Sequence, residues 1–160
     1  MKTALIFATL HGTTKKAADY IAENLTEDDV TLFSLNEKQD IDLSKYDKVI
    51  LGASIHMGIV AAQMKKFCKR NLQELQSKKL GLFVCGMEPD LDRQVFELEM
   101  AFPRELHKIA RATAFAGGEF LFEKMNFFQR IIIKKITKSH QNVSQIHYDV
   151  LDHFISQMKN

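Results

Sequence analysis

Ala4-Leu5-Ile6-Phe7-Ala8-Thr9-Leu10-His11-Gly12-Thr13-Thr14 is the stretch on which the fold turns. Its first five residues form a continuous apolar run, which reads as a buried strand. The next six supply hydroxyls at Thr9, Thr13 and Thr14 and a glycine that lets backbone approach closely. Residues 13–25 then place Ala17, Ala18, Ile21, Ala22 and Leu25 at helical spacing. A strand that passes through such a loop into a helix offers N–H and O–H donors and a helix N-terminus to an anion. A phosphate monoester needs no lysine there.

The rest of the chain repeats the alternation. Val30 to Leu35 alternates like a strand near a sheet edge, and Lys48-Val49-Ile50-Leu51-Gly52-Ala53 is a third strand. Residues 60–76 are helical, with Met64, Phe67, Cys68, Leu72 and Leu75 on one side. Leu80 to Cys85 is a fourth strand. A helix from Arg93 to Arg111 is kinked or restarted by Pro103. Ala112 to Gly118 is the fifth strand, and residues 142–158 form the closing helix. Strands alternating with helices imply right-handed βαβ crossovers and a parallel sheet covered on both faces. The expected fold class is therefore α/β, a doubly wound three-layer sandwich. Residues 1–160 read as a single domain, a common size, with an insertion at 119–140 before the last helix. In such folds ligands sit beyond the C-terminal ends of the strands.

Two further loops reach that end. Ala53-Ser54-Ile55-His56-Met57-Gly58 follows the third strand; its small, then bulky residues suit a backbone lying along a planar ring, with His56 or Met57 on the ring face. After the fourth strand, Gly86-Met87-Glu88-Pro89-Asp90-Leu91-Asp92 is placed to bracket the other side.

Composition excludes several classes. With 46% hydrophobic and 26% charged residues the chain is ordinary globular protein. Cys68 and Cys85 are too few for a disulfide framework and too far apart for a C-x-x-C pair. They read as buried thiols in a reducing cytoplasm. No run approaches the roughly 20 apolar residues of a membrane span, and the N-terminal apolar run is too short for a signal sequence. P-loop and G-x-G-x-x-G signatures are absent, and Gly52-Ala53-Ser54-Ile55-His56 lacks the second glycine of a hydrolase elbow. Thr9 and Gly52-Ala53-Ser54 stand where a phosphoacceptor domain needs acidic residues. The six histidines show no metal-ligand spacing.

The chain resembles the flavodoxin superfamily, and within it the menaquinone-dependent protoporphyrinogen oxidase branch. Three pieces carry the likeness: Met1-Lys2-Thr3 through Thr14, Gly52 to Gly58, and Ala116-Gly117-Gly118 followed by Phe127-Phe128-Gln129-Arg130-Ile131-Ile132-Ile133-Lys134-Lys135. Met57 stands where the family carries an aromatic residue. The resemblance, and not the residue pattern, implies five strands in the order 2-1-3-4-5, which is the flavodoxin order itself. It implies FMN as cofactor, held by Thr9, Leu10, His11, Gly12, Thr13 and Thr14 at the phosphate. Ala53, Ser54, Ile55, His56, Met57, Gly58, Gly86, Met87, Glu88 and Asp90 would hold the ring. It implies electrons arriving from a small-molecule or redox-protein donor and leaving to a quinone. No side chain is assigned as catalytic acid or base and no metal is expected.

The flavodoxin-type soluble electron carrier is the alternative, and a non-catalytic domain with an altered flavin site is a third. Carriers are usually acidic, whereas this chain has pI near 8.5. Its charge is also uneven. Between Glu123 and His140 five basic residues face Glu123 alone, a local +4 within an overall +2 that leaves −2 on the remainder. Interleaved with Phe120, Phe122, Phe127, Phe128, Ile131, Ile132, Ile133 and Ile136, this stretch suits an anionic membrane surface or quinone. Packing on the domain or on a partner is the competing reading. Nucleic acid is a poorer fit, because the patch is small. A cytoplasmic protein peripheral to the inner face of the membrane is the expectation.

Overall fold

The computed structural model describes residues 1–120, 143–144 and 146–159. Strand β1 (Lys2–Ala8) leads through helix α1 (Thr13–Asn24) to β2 (Asp29–Ser34). A 3-10 turn at Leu43–Lys45 precedes β3 (Lys48–His56), which folds back into β4 (Ile59–Val60). Helices α2 (Ala62–Arg70) and α3 (Leu72–Leu75) cross to β5 (Lys79–Cys85). Helices α4 (Leu91–Ala101) and α5 (Arg104–His107) cross to β6 (Ala112–Phe115). Strands β7 (Glu119–Phe120) and β8 (Val143–Ser144) and helix α6 (Tyr148–Met158) complete the described residues.

The parallel strands lie in the order β2-β1-β3-β5-β6, the 2-1-3-4-5 order implied by the resemblance. The sheet has six strands rather than five, because β4 pairs antiparallel with the end of β3. Side chains of period two divide between the two faces. On β1, Ala4, Ile6 and Ala8 enter the core beneath α2–α5, while Leu5 and Phe7 enter the core beneath α1 and α6. On β5, Leu80, Leu82 and Val84 take the first face and Phe83 and Cys85 the second. Two dry cores on one sheet make the three layers, and they explain why these strands read as unbroken apolar runs. A methyl at Gly52 would overlap the ring of Phe83, which packs edge-on against Phe154 of α6 with centroids 6.1 Å apart.

Several expected boundaries shift. The third strand runs three residues past Ala53, so Ser54, Ile55 and His56 are strand rather than loop. The helix expected over 60–76 is two helices, and the Asn71 side chain at the break donates to the Phe67 carbonyl (2.9 Å). Pro103 does restart the helix after Ala101. The fifth strand ends at Phe115, and the closing helix begins at Tyr148 instead of 142. Of the expected insertion, Glu119 and Phe120 pair with Ser144 and Val143; residues 121–140 lie outside the described residues.

Register fixes the site. Ala8 of β1 lies beside Ala53 of β3, and Ser54 beside Cys85 of β5. β1 and β5 end opposite Ala53 and Ser54 while β3 runs on to His56, so the segments that leave them stand side by side at the switch between β1 and its sequence-distant neighbour β3.

Candidate functional site

The loop after β1 is held by short polar contacts. The Thr9 N–H donates to Asn36 Oδ1 (3.1 Å) and the Asn36 amide returns a bond to the Thr9 carbonyl (3.0 Å). Thr9 Oγ1 accepts from the Gly12 N–H (2.9 Å). Gly12 has φ 92°, a left-handed conformation that glycine adopts without strain. Helix α1 starts immediately after it with no side-chain cap and no acidic residue in its first turn. Its first N–H groups and partial positive charge are therefore left for an outside anion. Thr13 and Thr14 in that turn are buried.

Strand β3 carries Ser54, Ile55 and His56 up to a two-residue hairpin, Met57-Gly58. Both turn residues have positive φ, 51° and 76°, as a type I′ turn requires. Met57 stands half exposed at the tip. Partial burial holds the His56 imidazole below its usual value, which keeps it neutral at pH 7. Its ring meets that of His11 edge-on, with centroids 5.4 Å apart.

The loop after β5 begins at Gly86, whose N–H donates to the Gly117 carbonyl (2.9 Å). Gly118 lies so close that a Cβ there would sit 2.8 Å from the Gly86 carbonyl oxygen. Asp90 caps α4, accepting from the Arg93 N–H (2.9 Å), and its own N–H donates to Glu88 Oε1 (3.0 Å).

Between these three segments lies a cavity of about 540 Å³, within the range used by small-molecule and cofactor sites. Of the residues expected at a ligand, Thr9, Leu10, His11, Thr13, Thr14, Ser54, Ile55, His56, Met57, Gly58, Gly86, Met87 and Glu88 line it. Gly12, Ala53 and Asp90 do not line it: Gly12 shapes the turn, Ala53 points into the core, and Asp90 caps a helix. Pro89 of the expected third loop also lines it, and sequence reasoning missed Cys85, Arg93, Glu97 and Gly118 on the same wall. Arg93 and Glu97 are four apart on the helix that follows the third loop, a spacing that puts both on one side. Gly118 was legible as the second of two glycines past the fifth strand.

Three polar atoms in this wall are buried with no hydrogen-bond partner among the described residues: Thr14 Oγ1, His56 Nε2 and Glu97 Oε2. Buried polar groups are otherwise nearly always paired, and a polar ligand in the cavity would supply the missing partners. Among the described residues no group of three or more His, Cys, Asp or Glu is placed to hold a metal ion. None of the described helices is long and apolar enough to cross a membrane.

A family model described as a flavodoxin domain matches residues 4–146. This chain belongs to the flavodoxin domain family. Within that family it is similar to Protoporphyrinogen IX dehydrogenase (quinone) of Escherichia coli strain K12, 30% identical over 144 residues that cover 86% of this chain and 80% of that one. The protein of the same name from Leishmania major is 25% identical over 144 residues. That match takes in 86% of this flavodoxin-family chain and 62% of the relative, less than two thirds of its length. A solved short-chain flavodoxin associated with a bacterial microcompartment aligns with 99% of this chain and 96% of its own at a TM-score of 0.58 and 16% identity, a likeness of fold.

Proposed function

We propose that this chain holds FMN in the cavity and works as a protoporphyrinogen IX dehydrogenase (quinone)-type oxidoreductase, moving electrons from a reduced organic donor to a quinone. The Thr14 hydroxyl carries the reading. It is buried and unpartnered in the first turn of an uncapped helix, beside Thr13 and the left-handed Gly12. A phosphate monoester would satisfy that hydroxyl and the open N–H groups together.

Thr9, Thr13 and Thr14 with the backbone of Leu10-His11-Gly12 would bind the phosphate. Ser54 to Gly58 would flank the ring on one side and Gly86-Met87-Glu88 on the other, with Ala53 and Asp90 holding those segments in place. When bound, FMN would supply the electron-accepting ring. Residues 1–160 are read as one domain, and the basic stretch 119–140 as its face toward the quinone or an anionic membrane surface.

The test begins with colour. Purified protein should be yellow or take up added FMN, and a colourless protein that takes up none overturns the flavin reading. Reduction of a quinone analogue at the expense of a porphyrinogen then selects the dehydrogenase. Failure there, with electrons passed to a partner reductase, selects a carrier. Flotation with liposomes should depend on anionic lipid if 119–140 meets a membrane.

A further inference from the structure

The cavity wall holds a carboxyl that the phosphate and ring contacts leave unused. Glu97 sits on α4 one turn beyond Arg93, and its Oε2 is buried without a hydrogen-bond partner among the described residues. An ionised carboxylate so placed would lack the bonds that make buried charge tolerable. Glu88 brings a second negative charge to the same wall. Arg93 does not cancel both, since its guanidinium is 3.8 Å from Glu88 Oε2. These features favour the neutral acid more than at an open surface site, and the protonated form has an O–H to donate.

We propose that Glu97 bears the exchangeable proton of this cavity, donating a hydrogen bond and then the proton to the bound ring as that ring gains electrons. The inference rests on the FMN reading. In the balanced step the organic donor loses two electrons and two protons; the electrons go to the ring, Glu97 supplies one proton to it, one donor proton restores the Glu97 carboxyl and the other leaves to solvent. That proton offsets one of the two negative charges the electrons bring to a cavity that already contains the Glu88 carboxylate. Besides Glu88 and Arg93, the titratable groups lining the same cavity are Cys85 at the end of β5, His11 after β1 and His56 on β3. Burial pushes the Glu97 carboxyl up, the Glu88 charge adds to the rise, and Arg93 opposes it.

Two measurements test the assignment. In apoprotein with carbon-13-labelled glutamate, the Glu97 carboxyl should titrate above the ordinary carboxylate range and move down in Glu88→Gln. With FMN bound, the midpoint potential plotted against pH should change slope where Glu97 titrates. That break should vanish in Glu97→Gln and move to lower pH in Glu88→Gln. An ordinary Glu97 titration in a protein that binds FMN overturns this proposal alone, as does an unaltered break in Glu97→Gln. A protein that takes up no FMN overturns the flavin reading, and this proposal with it.

Discussion

At the scale of single residues, the unpartnered polar atoms separate stability from binding. Thr14→Val keeps shape and removes the hydroxyl. Because none of the described residues bonds to Thr14 Oγ1, the apoprotein should be as stable as wild type or more so by about 1 kcal/mol. FMN binding should weaken by about 1.5–3 kcal/mol, roughly 10- to 150-fold in Kd. Urea unfolding of apoprotein and quenching of flavin fluorescence measure the two effects. His56 makes a different prediction. Its folded value lies below its ordinary one because of burial, so the unfolded chain takes up the proton first as pH falls through about 6.5. Stability is therefore complete above that pH and declines from there down to the folded value. His56→Gln should flatten the decline between pH 7 and 5.5 in urea melts; an equal decline in both proteins would remove His56 as its source. Both residues were legible in the sequence as candidate ligand contacts, but their missing partners were not. Thr14 was legible as a phosphate donor, but that its oxygen lacks a partner depends on the packing around it.

The Met57-Gly58 turn shows what individual elements add. A type I′ turn needs positive φ at both centres, and Met57 adopts φ 51° there without the local side-chain bonding that helps asparagine do so. Met57→Asn should raise apoprotein stability by about 1 kcal/mol, read as a higher urea midpoint with unchanged slope. A simultaneous fall in FMN affinity would show that methionine is kept for its place at the cavity rim despite its backbone. This hairpin was also the element least legible in advance. The apolar run breaks at Ser54, so the strand seemed to stop, whereas pairing with Ile59 and Val60 carries β3 on to His56. Asn71 likewise breaks a helix that the apolar spacing of residues 60–76 runs straight through. Pro103, by contrast, acts through its own ring and missing N–H, and its effect was readable directly.

Across the whole molecule, the alternation of strand and helix was enough for the layers, because both faces of the sheet are covered and the apolar runs are continuous. Strand order was not encoded in that alternation. Nor was the anchor at the opposite end of the strands from the cavity, where Lys48 is almost wholly buried. Its ammonium meets Asp28 Oδ2 (2.6 Å) and the Met158 carbonyl (2.5 Å), and Thr3 donates to the same carboxylate (2.7 Å). Burial alone would push the Asp28 carboxyl up, but bonds from Lys48 and Thr3 and the Lys48 charge bring it below its usual value. The stability this pair contributes is thus present above about pH 3.9 and lost as pH falls through the folded value. Lys48→Met leaves Asp28 with the Thr3 hydroxyl and the N-terminal ammonium (3.4 Å) and should destabilise the fold by less than the ~3–5 kcal/mol of a wholly unpaired buried charge, measured by urea unfolding at pH 7. FMN affinity should hardly change, since Lys48 opens β3 and the cavity lies beyond its other end.

The same lysine bears on the order of folding. Its two bonds close chain separations of 20 and 110 residues, and the longer one joins the third strand to the last turn of the final helix. Closing so long a loop is entropically slow, so this contact belongs late on the folding path, after the transition state. Removing it should leave the refolding rate nearly untouched and appear almost entirely as faster unfolding. Lys48 would then act as a latch on the finished molecule, setting how long each folded copy survives.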